Sequence, residues 1–178
     1  MKRFLFFQTT ACLCLLLSCT NNNKDKVDSS ISASQKEKNH KSLIIRVYKA
    51  IETGDMNSID SLFADDFVDH NPPGGKELRD KDSIKAQLAQ MHNQIKNLKF
   101  DVIANAYDND YVFTFRHMTG TTLVPMNGLP VNSRIDEYGV DVARLRDGKH
   151  VEHWGFVDPN VMTKRMNMPE SAKNIKHE

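Results

Sequence analysis

The chain of 178 residues carries 24 Lys and Arg against 23 Asp and Glu, a formal charge of +1, with 39% hydrophobic residues and three cysteines. That length and apolar content can bury one sizeable core. The balanced charge argues against a basic nucleic-acid surface and a polybasic membrane patch. Three cysteines exclude a disulfide framework, and a single long apolar run excludes a polytopic membrane protein.

That run lies at the N-terminus. Met1-Lys2-Arg3 is a short basic start, and Phe4 to Leu17 is mostly apolar, interrupted by Gln8-Thr9-Thr10. The stretch is short for a membrane-crossing helix and suits a secretory signal. Leu16-Leu17-Ser18-Cys19 follows and resembles a bacterial lipobox, in which the chain is cut before a cysteine that carries lipid. The resemblance implies a signal peptide over 1–18 and an anchor at Cys19. It also implies a place in the cell envelope, lipid-anchored, at the outer membrane. The alternative is an ordinary cleaved signal in which Cys19 is incidental. On the lipoprotein reading Cys12 and Cys14 leave with the signal, which excludes a cysteine nucleophile and a Cys-based metal site. Lys2 and Arg3 leave as well, and the formal charge becomes −1. Residues 19–39 are polar, rich in Ser and Asn, and too poor in apolar groups to offset their ordering entropy; a flexible tether is expected.

From His40 the pattern becomes that of one α+β domain over 40–169, followed by a polar tail over 170–178. Ile44, Val47, Tyr48 and Ile51 fall at i, i+3, i+4 and i+7, one apolar face of a helix, and Gly54 can close it. Asp55 can cap a short second helix with Met56, Ile59, Leu62 and Phe63 inward. Phe67-Val68-Asp69-His70 reads as a short link and Asn71 to Gly75 as a loop. Asp80 or Asp82 can cap a third helix carrying Ile84, Leu88, Met91 and Ile95. Strand signals then cover Leu98 to Tyr107, Tyr111 to Thr119 with a continuation over Thr121 to Val124, and Val131 to Leu145. A bend or bulge is expected at Gly139. Asp147-Gly148 is a hairpin signal, and Val151 to Val157 returns antiparallel. Helices first and strands after predict three N-terminal helices packed on one face of a strongly bent antiparallel sheet, a cone-shaped α+β barrel around a pocket.

Several segments together carry a family resemblance: Gly54-Asp55-Met56, Leu62-Phe63-Ala64, Phe67 to Gly75, Gly128-Leu129-Pro130, Gly139-Val140-Asp141-Val142-Ala143-Arg144, and Val151 to Gly155. In this order they resemble the SnoaL-like polyketide cyclases, within the superfamily of nuclear transport factor 2 and ketosteroid isomerase. The resemblance implies an intramolecular aldol closure, or a related isomerisation, of a small apolar carbonyl compound. It implies acid–base catalysis by a pocket aspartate with no cofactor, no metal and no Schiff base. The competing expectations are a binding module for a hydrophobic ligand and an interaction module, with a homodimer through the sheet.

Asp141, which matches the Gly-x-Asp-x-x-Arg segment, is the first candidate catalytic residue. Strand alternation places it on one face with Glu137, Gly139 and Ala143. Its other reading is a structural aspartate paired with Arg116, Arg144 or a histidine. His70 and His153 are the further catalytic candidates: His70 can bond a carbonyl or anchor its loop, and His153 can orient Asp141. Trp154, Arg116, His117, Phe113 and Phe67 are candidate ligand-binding residues. Arg116 and His117 are adjacent on one strand, so only one of them can face the pocket. His150-x-x-His153 has a helical spacing in a strand setting and argues weakly for metal. Glu152 is a reserve carboxylate. Met162, Met166 and Met168 read as packing for a terminal segment.

Overall fold

The computed structural model describes residues 22–72, 75–159 and 161, with side chains from residue 32. The signal segment, Cys19, the late methionines and the tail lie outside the described residues. The chain divides into two compact units, Met1–Ser34 and Gln35–Glu178, and the folded core belongs to the second. Among the described residues no helix is long and apolar enough to cross a membrane.

Among the described residues three helices and five strands follow in the order α1 (Asn22–Thr53), α2 (Met56–Leu62), β1 (Phe63–Asp69), α3 (Lys81–Gln94), β2 (Ile95–Asp108), β3 (Tyr111–Thr122), β4 (Arg134–Arg146) and β5 (Lys149–Val157). Helix α1 starts well before the expected His40, so the residues expected as a tether are helical from Asn22 onward. Lys, Glu and Gln are good helix formers, and a helix already nucleated by a packed stripe propagates into polar sequence at little cost. That stripe is Ile44, Val47, Tyr48 and Ile51, all buried as the spacing predicts. Gly54 ends α1 with φ at +72°, a left-handed conformation a glycine adopts without strain. Asp55 caps α2 through the Ser58 amide, and Asp80, rather than Asp82, caps α3 through Ser83.

The sheet runs β1-β5-β4-β3-β2, open at both edges. The neighbours from β5 to β2 are antiparallel, as expected, but β1 pairs parallel with β5, which makes the sheet mixed. The segment expected as a link around Phe67 is therefore an edge strand. Gly139 carries no bulge, because the β3–β4 register runs unbroken through it. Irregularity falls elsewhere: in β2 near Ile103, and in β5 at Val151, where Arg144 pairs with Glu152 but Leu145 with His150. Asp147 and Gly148 both have positive φ, as a two-residue hairpin turn needs.

One face of β3–β5 packs toward the helices. Ile135, Ala143, Leu145 and Val112 are buried in the same core as Ile59, Leu62 and Ile84. The opposite face carries Tyr111, Phe113, Phe115, Tyr138 and Phe156, each more than a third exposed.

Candidate acid-base site

The inward face of the sheet buries a polar cluster among these apolar side chains. Along β4 the inward positions are Ile135, Glu137, Gly139, Asp141, Ala143 and Leu145. Asp141 stands opposite Thr114 on β3 and Gly155 on β5. Its carboxylate oxygen Oδ2 accepts from the Tyr48 hydroxyl of α1 at 2.7 Å and from Arg116 Nε at 2.8 Å. Side-chain exposure is only 10% for Arg116 and 12% for Asp141, so this ion pair is largely dry. A buried pair of this kind persists only when hydrogen bonds satisfy its remaining lone pairs and protons.

Two of its atoms lack such partners. Asp141 Oδ1 and Arg116 Nη1 are covered from solvent and have no hydrogen-bond partner. Gly139 leaves the space that the guanidinium fills: a Cβ there would lie 3.2 Å from Arg116 Cζ and 2.6 Å from the Phe156 carbonyl oxygen. Phe100 on β2 adds the wall, stacked on Tyr48 at 4.8 Å, with Arg116 Cζ 5.7 Å from its ring centre. Burial, reinforced by the Asp141 charge, pushes the Tyr48 phenol far above its ordinary range, so it remains a donor. Burial disfavours the Arg116 charge, but Asp141 outweighs it and holds the guanidinium more firmly protonated than usual.

His153 completes the cluster from β5. Its Nε2 lies 4.0 Å from Asp141 Oδ1, close but beyond a hydrogen bond. Its Nδ1 lies 3.1 Å from Asp69 Oδ1 at the end of β1. A carboxylate only accepts, so Nδ1 carries the proton and the neutral ring presents Nε2 as its basic nitrogen. The ring keeps 27% of its surface exposed, unlike the carboxylate behind it. Burial works against the charged imidazolium, but the Asp69 hydrogen bond and the Asp141 charge outweigh it, and the net shift is upward.

The structure thus joins Asp141, Arg116 and His153. It does not bring the other candidates to them. His70 faces away, with Nδ1 2.7 Å from Glu77 Oε2, Nε2 3.0 Å from Glu152 Oε2 and its ring stacked on Trp154 at 4.4 Å. This is the loop-anchoring geometry, since Glu77 and His70 straddle a loop also closed by paired backbone bonds between Asp69 and Leu78. Trp154 and Glu152 share that outer face because alternation separates them from His153. His117 is outward too, bonded to Asp136 and stacked on Tyr138, so Arg116 is the inward member of the pair. Phe113 is an outer-face residue at 40% exposure, and Phe67 is core, packed on Phe63 and His150. The bulge at Val151 turns His150 and His153 to one side, with ring centres 5.9 Å apart. His150 makes no hydrogen bond through either nitrogen, and among the described residues no group of three or more His, Cys, Asp or Glu converges as for a metal.

Sequence reasoning missed Tyr48, Asp69, Phe100 and Gly155. Tyr48 was visible only as part of an apolar stripe. Asp69 belonged to a strand whose parallel pairing is non-local.

Three helices on an open five-stranded mixed sheet, with a buried polar cluster facing the helices, define a small α+β fold of the type that hosts small-molecule sites. Residues 44–153 match the SnoaL-like domain, and the chain belongs to that family. No curated protein matches the chain. Among solved structures it is similar to TsrD from Streptomyces laurentii, at 17% identity and a TM-score of 0.63, over 72% of this chain and 95% of that one. It is similar to IdmH from Streptomyces antibioticus, assigned as a polyketide cyclase, at 23% identity and a TM-score of 0.60, over 72% and 98%. It is also similar to an LEH-like epoxide hydrolase of M. tuberculosis, at 18% identity and a TM-score of 0.55, over 69% and 85%. Likeness at these identities concerns the fold, which is the α+β cone expected from the sequence.

Proposed function

We propose that this SnoaL-like protein is a cofactor-independent acid–base enzyme. It takes a proton from a small apolar carbonyl compound and returns it elsewhere on the same molecule, as an isomerase or an intramolecular aldol cyclase does. The observation that carries this reading is a covered, unpartnered oxygen of Asp141 facing a part-exposed histidine 4.0 Å away. A structural ion pair would satisfy both carboxylate oxygens, whereas here Tyr48 and Arg116 saturate one and leave the other for proton traffic. The apolar surround raises the strength of each charge interaction and keeps competing water out.

The test is deuterium exchange from heavy water into a panel of cyclic ketones and 1,3-diketones, followed by NMR. The wild type should exchange α-protons above the buffer rate, and Asp141→Asn should lose this by at least about a hundredfold. Exchange no faster than buffer across the panel would remove the enzyme reading and leave a binder of apolar ligands.

We further propose a lipid anchor at Cys19 in the cell envelope, supported by the order of apolar run, small residue and cysteine. Cys19→Ser should release the protein from the membrane fraction, and retention would refute the anchor. The exposed aromatic face of β3–β5 supports a homodimer through the sheet. Phe115→Asp should then give a monomer by light scattering, and a wild type already monomeric at high concentration would overturn it.

A further inference from the structure

Asp141 cannot be reached from solvent at its free oxygen, yet His153 beside it can be reached. The order of the groups follows from that difference in access. We infer that His153 Nε2, rather than Asp141, meets the substrate. On this inference Asp69 is its positioning residue, and Gly155 leaves the room in which the His153–Asp141 gap closes. The inference rests on the acid–base reading above and assigns the parts within it.

The geometry supplies each role. Asp69 fixes Nδ1–H, which sets both the tautomer and the direction of Nε2. When the neutral ring takes a proton from the carbon α to a carbonyl, the C–H electron pair passes into the enolate and Nε2 gains the proton. The new imidazolium then lies between two carboxylates, Asp69 on Nδ1 and Asp141 within one small ring movement of Nε2. The same proton returns to the enolate, or to the alkoxide after ring closure, so atoms and charge balance without any co-reactant. Asp69 on β1, Asp141 on β4, Arg116 on β3 and His150 beside it on β5 are the charged and titratable groups around the ring.

Gly155 makes this movement available. A methyl there would lie 3.4 Å from His153 Cε1, 3.8 Å from Nε2 and 3.6 Å from Asp141 Oδ1. Those are ordinary contacts, so alanine fits, but it would fill the approach between the two groups. The backbone cannot retreat from that methyl. Asn71 holds it at both polar atoms, accepting from Gly155 N at 2.7 Å and donating to Gly155 O at 2.5 Å.

The experiment has two arms on full-length protein. In the first, NMR titration of the His153 imidazole is recorded in the wild type, Asp69→Asn and Gly155→Ala. The His153 midpoint should fall in Asp69→Asn and its ¹⁵N shifts should show a mixture of tautomers; an unchanged midpoint and tautomer would overturn Asp69 as the positioning residue. In the second, exchange into the best ketone of the panel is followed against pH. Asp69→Asn should move the acidic limb to lower pH and lower the plateau by at least about tenfold. Gly155→Ala should lose at least about tenfold with its melting temperature unchanged. If Asp141→Asn abolishes exchange while Asp69→Asn and Gly155→Ala keep the wild-type profile, the assignment of parts is wrong and the acid–base reading stands. If the wild type exchanges nothing, the acid–base reading fails together with the catalytic part of this inference, and the titration still decides whether Asp69 positions His153.

Discussion

Two clusters of the same residue types sit on opposite faces of one sheet. The inner one holds His153, Asp141, Asp69, Arg116 and Tyr48. The outer one holds His70, Glu77, Glu152, Arg144 and Trp154. Both contain a histidine, two carboxylates, an arginine and an aromatic ring. In the outer cluster His70 is bonded at both nitrogens, and Glu152 is shared between His70 and Arg144. Burial alone would raise the Glu152 carboxyl, but those two hydrogen bonds outweigh it and hold it low. In the inner cluster one carboxylate oxygen and one guanidinium nitrogen have no partner. Residue type does not separate a site from a brace. Unspent hydrogen-bonding capacity in a dry setting does.

The inner cluster loses most when its buried ion pair is cut. Arg116→Met keeps much of the side-chain volume and removes the guanidinium, leaving the covered Asp141 carboxyl held by Tyr48 alone. A one-sided deletion of this kind typically costs about 3–5 kcal/mol. Urea unfolding should show that loss. The matching outer change, Arg144→Met, removes a group that is 34% exposed, and water can take its place. Equal losses in the two variants would show that burial does not distinguish the faces.

Much of this arrangement can be read from the sequence where the cause is local. The apolar stripe at Ile44, Val47, Tyr48 and Ile51, the caps at Asp55 and Asp80 and the Asp147-Gly148 turn are decided by neighbours within a few residues. Alternation placed Asp141 and Glu137 inward for the same reason. What stayed hidden depends on distant pairing. Phe63–Asp69 has two adjacent aspartates and no clean alternation, so only its parallel pairing with β5 makes it a strand and delivers Asp69 to His153. The choice between Arg116 and His117 needed the β3–β4 register, and His150 joined His153 through a single extra residue at Val151. The phenol of Tyr48 looks like any core aromatic until its partner is known.

The two inward histidines respond to pH in opposite directions. His150 is buried against Phe63 and Phe67, and burial, aided by the His153 charge, lowers its pKa to about 3. Its folded value lies below the unfolded one near 6.5, so the unfolded chain binds the extra proton. Stability therefore rises with pH across that interval and is lost on acidification, by roughly 1 kcal/mol per pH unit below 6.5. His153 has the opposite sign. Its folded value is raised, so its stabilisation is present below 6.5 and fades as pH climbs through the folded value. Between pH 6.5 and 5, above the carboxylate range, the difference in unfolding midpoint between the wild type and His150→Phe reports His150, because His40, whose pKa burial also lowers, contributes equally to both. His150→Phe should flatten the slope there at no loss of hydrogen bonds, because neither ring nitrogen makes one. A slope unchanged in His150→Phe would mean that water already reaches the ring.

The smallest effect belongs to the outer brace. Glu77→Gln keeps the shape of the side chain and an oxygen that can still accept from His70, while Glu152 continues to hold the other ring nitrogen. Glu77 is 34% exposed, and an ion pair so placed contributes less than about 1 kcal/mol. Its melting temperature should fall slightly, and less at high salt. Proton exchange and the His153 titration should not change. The reason is geometric: the His70 ring points to the face opposite Asp141, and the strand carrying His153 is held by its own pairing with β4 as well as by this loop. Loss of exchange in Glu77→Gln would show that the loop from His70 to Leu78 sets Asp69, at its base, from the outer face. The two clusters would then be one device.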